Sequence, residues 1–372
     1  MKIDAHYYAV LAFCRACGFN KESAYKVAYA SQFVDDAIIN HIIIQGDLPE
    51  NIDHEVIDNQ PSFFNMATCH SYTRIKTFNY SAMINNTTAF HFVPGCKGKN
   101  FPIKLRCIKE SPVIMDIFKE ALDQDDLIKL GIVLHAYADT FSHQGFSGLL
   151  SKVNDIKEVK TLSKVPWTWT DKISKYLKWF GKDKFDRKFD SLMPAYGHGQ
   201  AMEYPDFPFL TWSYAYDYSD QFSSAYKPSG RIDNKKRFVE AFKGITRHLV
   251  VYIKNHQQYQ HGNIDFDNWD ILFNTLLVEK NDEERIKKWQ ETLLSEKFLD
   301  DTDPELTYCE DSWLKEAFIN FDEKKFHQRK VEGAQLAPNF SDVNWYKYYL
   351  AVKWYKERFF HYCTQHNLDI NG

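Results

Sequence analysis

No run of 18 apolar residues occurs in the chain, so no helix is expected to span a bilayer. Charge of one sign is not in excess: 46 Lys and Arg face 50 Asp and Glu, a formal net charge of −4. A near-neutral chain has no overall field to draw it to nucleic acid or an anionic membrane. Cysteine is sparse and odd in number, with seven scattered residues. Cys14 and Cys17 form a single CxxC inside a helical pattern, with no second pair downstream. That arrangement fits reduced thiols better than a disulfide framework or a zinc knuckle. The Walker loop, the dinucleotide glycine fingerprint and the His-Glu-x-x-His helix of zinc proteases are also missing. No His is directly followed by Asp, which argues against an HD-type phosphohydrolase. The opening Met1-Lys2-Ile3-Asp4-Ala5-His6 lacks an apolar export signal, so a cytoplasmic location is expected, with export by a signal-independent route left open.

What is abundant is aromatic surface. There are 29 Phe, 22 Tyr and 9 Trp, 16% of the 372 residues. With 44% hydrophobic and 26% charged residues, the composition is that of a globular protein. Rings on this scale build a large core and line pockets. No repeat and no linker interrupts the chain, which reads as one domain, 1–372.

Apolar spacing predicts helices over about 4–16, 21–44, 123–143, 235–256, 280–296, 310–325 and 341–364. Gly18 ends the first, and Asn20 caps the second. Strand patterns are weak, and the expected fold class is all-α. A helical core over 1–230 would precede a helical C-terminal part over 231–372. Within the core, 151–190 is a basic stretch interleaved with Trp167, Trp169, Trp179 and Phe180, read as an amphipathic insert.

The strongest chemical signal is His135-Ala-Tyr-Ala-Asp139-Thr-Phe-Ser-His143. Residues four apart share a helix face, so these three side chains point the same way. Their flanks, Ile132, Val133, Leu134, Ala136 and Ala138, are apolar, which a solvated polar face would not be. Imidazoles and a carboxylate on one buried face suit a divalent metal. Asp35 lies on the inward phase of its own helix, with Ala24, Ala28, Ser31 and Ile38, and Asp36 about 100° away. A carboxylate buried there needs a partner or a metal. Asp4 and His6 open the first helix, His91 lies in Phe90-His91-Phe92-Val93-Pro94, His198 sits between two glycines, and Asp206 follows in Tyr204-Pro205-Asp206.

In this order, these residues resemble the zinc-dependent phospholipase C and fungal single-strand nuclease superfamily, closest to an uncharacterised bacterial branch of it. His6 matches the early His of that pattern, Phe33-Val34-Asp35 its Trp-Ala-Asp segment, and His91-Phe92 the next. His135, Asp139 and His143 match the helix set, and His198 the last His. The resemblance covers about 1–210. It implies a multi-helix, all-α metal-binding core and a metal-dependent hydrolase of phosphate esters. Its substrate would be a lipid or nucleotide ester, attacked by a water that clustered cations acidify. The implied ligands are Asp4, His6, Asp35, His91, His135, Asp139, His143, His198 and Asp206, with Asp35 and Asp139 also catalytic. Asp4 is the nearest substitute for a free N-terminal amine used by secreted members. Either Glu203 or Asp206 supplies the last carboxylate. Two or three zinc ions are expected, although imidazole and carboxylate also suit iron or manganese. The competing reading is a non-catalytic interaction or effector protein with one structural metal.

Overall fold

The computed structural model describes residues 1–46, 48–69, 79–163, 195–216, 231–261 and 266–370. The chain opens in a wide π-helical segment, Asp4–Ala9, that runs into α1 (Val10–Ala16). Gly18 ends it at φ +98°, a conformation that strains any L side chain. Asn20 caps α2 (Lys21–Asp36) by accepting the Ser23 N–H at 2.8 Å. Helix α2 stops at Asp36, short of the expected Ile44. Ala37 leaves the helical region, with ψ of 78°. The β-branched run behind it, His41–Ile44, forms strand β1.

The other strands are β2 (Glu55–Ile57), β3 (Gln60–Phe64), β4 (Ile156–Thr161), β5 (Thr211–Tyr216), β6 (Ile232–Asp233) and β7 (Lys330–Ala334). They form one sheet of order β2-β3-β1-β7 and one of order β4-β5-β6. Asp58 and Asn59, both at positive φ, close the β2–β3 hairpin, as a two-residue turn requires. Strand β1 runs antiparallel to β3 and parallel to β7, with Ile42 opposite both Phe63 and Val331. The all-α expectation is therefore corrected: the fold is mixed, helical with two small sheets. Strand β4 begins the basic stretch that was read as helical. The rest of that stretch, 164–190, lies outside the described residues, as does 217–230.

Seven more helices matter for the site and its support. They are α3 (Pro112–Asp123), α4 (Leu127–Ser142), α5 (Asn234–Asn255), α6 (Trp269–Leu276), α7 (Asp282–Ser295), α8 (Ser312–Ala317) and α9 (Asn344–Gln365). Asp126 caps α4 by accepting the N–H groups of Ile128 and Lys129. Every α4 residue except Lys129 is buried, and α2, α3, α5 and α9 pack around it. A helix apolar on all sides belongs at the centre of a core. The C-terminal part shares that core. Phe63 meets Phe340, Trp345 and Tyr349 at ring distances of 5.5, 5.2 and 4.9 Å, and Tyr29 meets Trp313 at 4.2 Å. Among the described residues no helix is long and apolar enough to cross a membrane.

Helices α2 and α4 approach most closely at Gly131. A Cβ there would lie 2.4 Å from the Val27 carbonyl oxygen and 2.6 Å from the Ala30 Cβ. Both obstacles are part of a packed helix and cannot swing aside. Helix propensity alone would make Gly131→Ala stabilising by about 1 kcal/mol. Overpacking costs about 1–3 kcal/mol and opposes it. We expect Gly131→Ala to lower the thermal melting temperature; a raised one would mean that the two helices separate freely.

Candidate metal centre

Five elements bring the polar side chains together. His6 rides on the π-helical turn Asp4–Ala9, a rare geometry often found at functional sites. Asp35 lies in the last turn of α2. His91 ends a helical stretch built from Tyr80–Ala82, Met83–Thr88 and Ala89–His91. His135 and Asp139 project from α4, and His143 is its C-cap residue, with its N–H still bonded to the Asp139 carbonyl at 3.0 Å. His198 and Asp206 come from the loop that carries the short turns Gly199–Ala201 and Tyr204–Asp206.

These side chains form three groups that could each hold an ion: His6, Asp35 and His135; His91, His135 and Asp139; and His143, His198 and Asp206, the first two sharing His135. Asp139 joins the first two, being 1% exposed. Its Oδ1 lies 3.1 Å from His6 Nε2, and its Oδ2 lies 3.1 Å from His91 Nδ1 and 3.4 Å from His135 Nε2. Asp35 Oδ1 faces the same two rings at 3.7 and 3.8 Å. Asp206 Oδ1 lies 3.0 Å from His143 Nε2, and its Oδ2 lies 3.5 Å from His198 Nε2.

The outer ring nitrogens decide what the inner ones are. His135 Nδ1 meets the Ser31 carbonyl at 2.7 Å, and His91 Nε2 meets the Thr68 carbonyl at 3.0 Å. His143 Nδ1 meets the His91 carbonyl at 2.7 Å, and His198 Nδ1 meets the Met202 carbonyl at 2.7 Å. A carbonyl only accepts, so in each ring the N–H is on the outer nitrogen. Each neutral ring then presents a lone pair to the cluster. His91 Nδ1 and His135 Nε2 stand 3.1 Å apart in this way, beside two carboxylates. Lone pairs and carboxylates converging in a buried space repel unless a cation lies among them. Four imidazoles oriented by backbone carbonyls also match the support usually found behind metal-ligating His. His6 differs, because its Nδ1 has no partner among the described residues.

The ionisation states agree with this fit. Burial pushes His6 and His198 down to about 4, and burial with the neighbouring His6 pushes His135 well below its ordinary value. All three are neutral at pH 7, as metal ligands must be. Burial opposes the charge on Asp139, but His143, the Met1 amine, His6 and His135 hold it well below the usual carboxylate range. The Met1 amine, His198 and His143 likewise lower Asp206 against burial. Asp35 and His91 are exceptions: burial raises Asp35 to about 8, with Asp139 adding to the effect, and Asp139 and Asp35 raise His91 against burial.

One expected ligand goes elsewhere. Asp4 is buried against the guanidinium of Arg285 on α7, away from the three groups. The Met1 amine lies 2.6 Å from Asp139 Oδ1 and 3.2 Å from Asp206 Oδ1, and Asp139, Asp206 and Asp35 raise it against burial to about 10, so it is itself a cation among these groups. Lys2 is tied to Glu203 and to Asp282 of α7, at 2.7 and 3.0 Å. Glu203, largely exposed, is thus engaged at the surface, and Asp206 is the carboxylate that joins His143 and His198. Asp36 turns the other way, accepting from Tyr308 Oη at 2.6 Å and Gln32 Nε2 at 3.2 Å. The carbonyls of Ser31, Thr68 and Met202 were invisible to sequence reading, because any residue type supplies a carbonyl.

Asp35, His91, Asp139, His143, His198 and Asp206 line a cleft of about 340 Å³, with Lys2, Thr87, Phe92 and Met202 around it; His6 and His135 lie behind that lining. A further trio, Glu310, Asp311 and His327, lies outside this cleft. It is accounted for by its own contacts, His327 Nε2 to Asp311 Oδ1 at 3.0 Å and Lys315 to Asp311 at 3.8 Å.

Metal that binds only the folded chain stabilises it by about 2.7 kcal/mol at a hundredfold excess over Kd. Zinc or manganese should therefore raise the melting temperature of chelator-dialysed protein, and Asp35→Asn should shrink that rise. Asp36→Asn, which keeps its acceptor for Tyr308, should leave it intact. Equal effects of the two variants would place Asp35 outside the centre.

No curated protein and no solved structure matches the chain. A family model described as a family of unknown function (DUF6765) matches residues 1–363. With nearly its whole length covered, the chain belongs to the DUF6765 family.

Proposed function

We propose that this protein is a metal-dependent hydrolase of phosphate esters, acting on phosphodiesters in a phospholipase C-like or nuclease-like manner. His6, Asp35, His91, His135, Asp139, His143, His198 and Asp206 would hold two or three divalent ions, zinc first among the candidates. The observation that carries this reading is the set of inward lone pairs around Asp139, opening on a cleft. A structural metal takes four ligands in a closed site. Eight side chains beside a cleft are more than such a site uses.

Bound ions of this kind stabilise charge on phosphoryl oxygens and make water a nucleophile near neutral pH. The chain's own residues divide the remaining work. Asp139, fully enclosed, orients His6, His91 and His135 from the centre. Asp35, Asp139 and Asp206 all line the cleft, and Asp35, with its side chain 29% exposed, is the most open of the three, where it can accept or return a proton at Oδ1. Phe92 stacks on His143 at 4.7 Å between ring centres, keeping water from that side of the ring. The Lys2 ammonium lies over the Phe207 ring at the edge of the cleft, with its charge answered by Glu203 and Asp282.

The test is hydrolysis of bis-p-nitrophenyl phosphate, phosphatidylcholine and single-stranded DNA by protein loaded with zinc or manganese. We expect turnover of at least one of them, and loss of both metal and turnover in His135→Ala and Asp139→Ala. His361→Ala, on the exposed side of α9, should behave as the unaltered protein. Activity on the lipid alone selects the phospholipase branch, and activity on the DNA alone the nuclease branch. Metal-loaded protein that cleaves none of the three above the His135→Ala background would transfer the case to a non-catalytic metal site.

A further inference from the structure

Lys356 lies in the middle of α9, which supplies no member of the three groups. Its side chain is buried, yet no carboxylate pairs with it among the described residues. The ammonium donates instead to three oxygens of one short segment, Asn65 O at 2.6 Å, Asn65 Oδ1 at 3.1 Å and Ala67 O at 3.1 Å, and at longer range to Asn86 Oδ1 at 3.5 Å. Burial without an opposing charge lowers its pKa to about 7. Taking an ammonium out of water costs several kcal/mol unless its donors are well placed. Here the ammonium finds acceptors, and the three nearest lie just before Thr68.

Thr68 is the next link. Its N–H donates to the Ala37 carbonyl at 3.0 Å and its hydroxyl to the Val34 carbonyl at 2.7 Å. Its own carbonyl accepts His91 Nε2–H at 3.0 Å. That bond fixes the His91 tautomer and aims Nδ1 at Asp139, Asp35 and His135. The approach to Thr68 is not an ordinary extended strand, because Asn65 sits at φ +54°. A segment that bends in this way needs something to hold the bend, and Lys356 grips both sides of it. Tyr348, one helical stretch earlier on α9, touches the Thr68 hydroxyl at 3.1 Å from the same direction.

We infer that Lys356 is a positioning residue of the metal centre: from the C-terminal helix it fixes segment 65–68, and through the Thr68 carbonyl it sets the aim of His91. The inference rests on the metal-centre reading above and adds a role for α9 that the ligand set does not contain. The effect runs through geometry, so the expected signature is a change in metal affinity and coordination, separate from any change in folding.

The experiment compares the full chain with Lys356→Met, Asn65→Gly and Val352→Ala. Asn65→Gly keeps a residue that accepts positive φ and removes the side-chain acceptor, together with the Asn65 Nδ2 donation to Asn85 Oδ1 at 3.3 Å. Val352 is a buried α9 neighbour with no link to Thr68, and its truncation leaves a cavity. For each protein, zinc affinity is read by competition with a chromophoric chelator, coordination by the visible spectrum of the cobalt form, and folding by melting of the metal-free state. Loss of support behind a ligating His lowers affinity about 10–100-fold. We expect a loss of that size and an altered cobalt spectrum for Lys356→Met, and a smaller loss in the same direction for Asn65→Gly. Val352→Ala should lower the melting temperature with zinc affinity unchanged. A folded Lys356→Met with zinc affinity and cobalt spectrum equal to the unaltered chain overturns the inference. If Lys356→Met does not fold, Asn65→Gly decides in the same way. If the unaltered chain takes up no metal, the metal-centre reading itself falls, and the inference with it.

Discussion

The Asp139 carboxylate is the constraint around which the rest of the structure is arranged. It is a buried anion in the last turn of α4, where an unpaired charge is untenable. Everything that meets it is there to answer that charge. Four rings and the Met1 amine approach its two oxygens, the rings of His6 and His91 from other elements and those of His135 and His143 from α4 and its C-cap. The tight α2–α4 contact at Gly131 follows from the same need. It brings the Ser31 carbonyl to His135 and puts Asp35 opposite the α4 face that carries Asp139.

The C-terminal part of the chain supports this centre without contributing a ligand. Helix α7 anchors the first residues of the chain, through Arg285 to Asp4 and Asp282 to Lys2. The N-terminal turn that carries His6 is thereby held from outside. Helix α9 stabilises segment 65–68 behind His91. The aromatic residues that dominate the composition mostly fill the space between, as the Phe63, Phe340, Trp345 and Tyr349 cluster does where β3 meets α9. In this arrangement the half that carries the candidate ligands packs against the half that follows it, and the family match runs through both.

The parts of this that the sequence made legible are those written in local spacing. His135, Asp139 and His143 follow the helical period inside an apolar stretch, so their shared face could be read directly. Asp35 and Asp36 were separated by helical phase, and they do face different ways. The sheets were not legible. Strand β1 follows a helix without Gly or Pro between them, and its triple Ile continues an apolar pattern that also suits a helix. Its partners β3 and β7 are fixed by contacts from distant parts of the chain, as Ile42 against Val331 illustrates. The placing of Asp4 failed for a similar reason. Its partner Arg285 is on α7, and nothing near Asp4 announces it. The Met1 amine and the carbonyls behind the His rings carry no side-chain signature at all.

The account stands or falls on whether cations occupy the space that the lone pairs enclose. Elemental analysis of protein purified without chelator, normalised to chain concentration, addresses this directly. The arrangement around Asp139 and Asp206 predicts two or three divalent ions per chain, reduced in Asp139→Ala. A folded chain that carries no metal, and takes up none when zinc or manganese is supplied in excess, would contradict it.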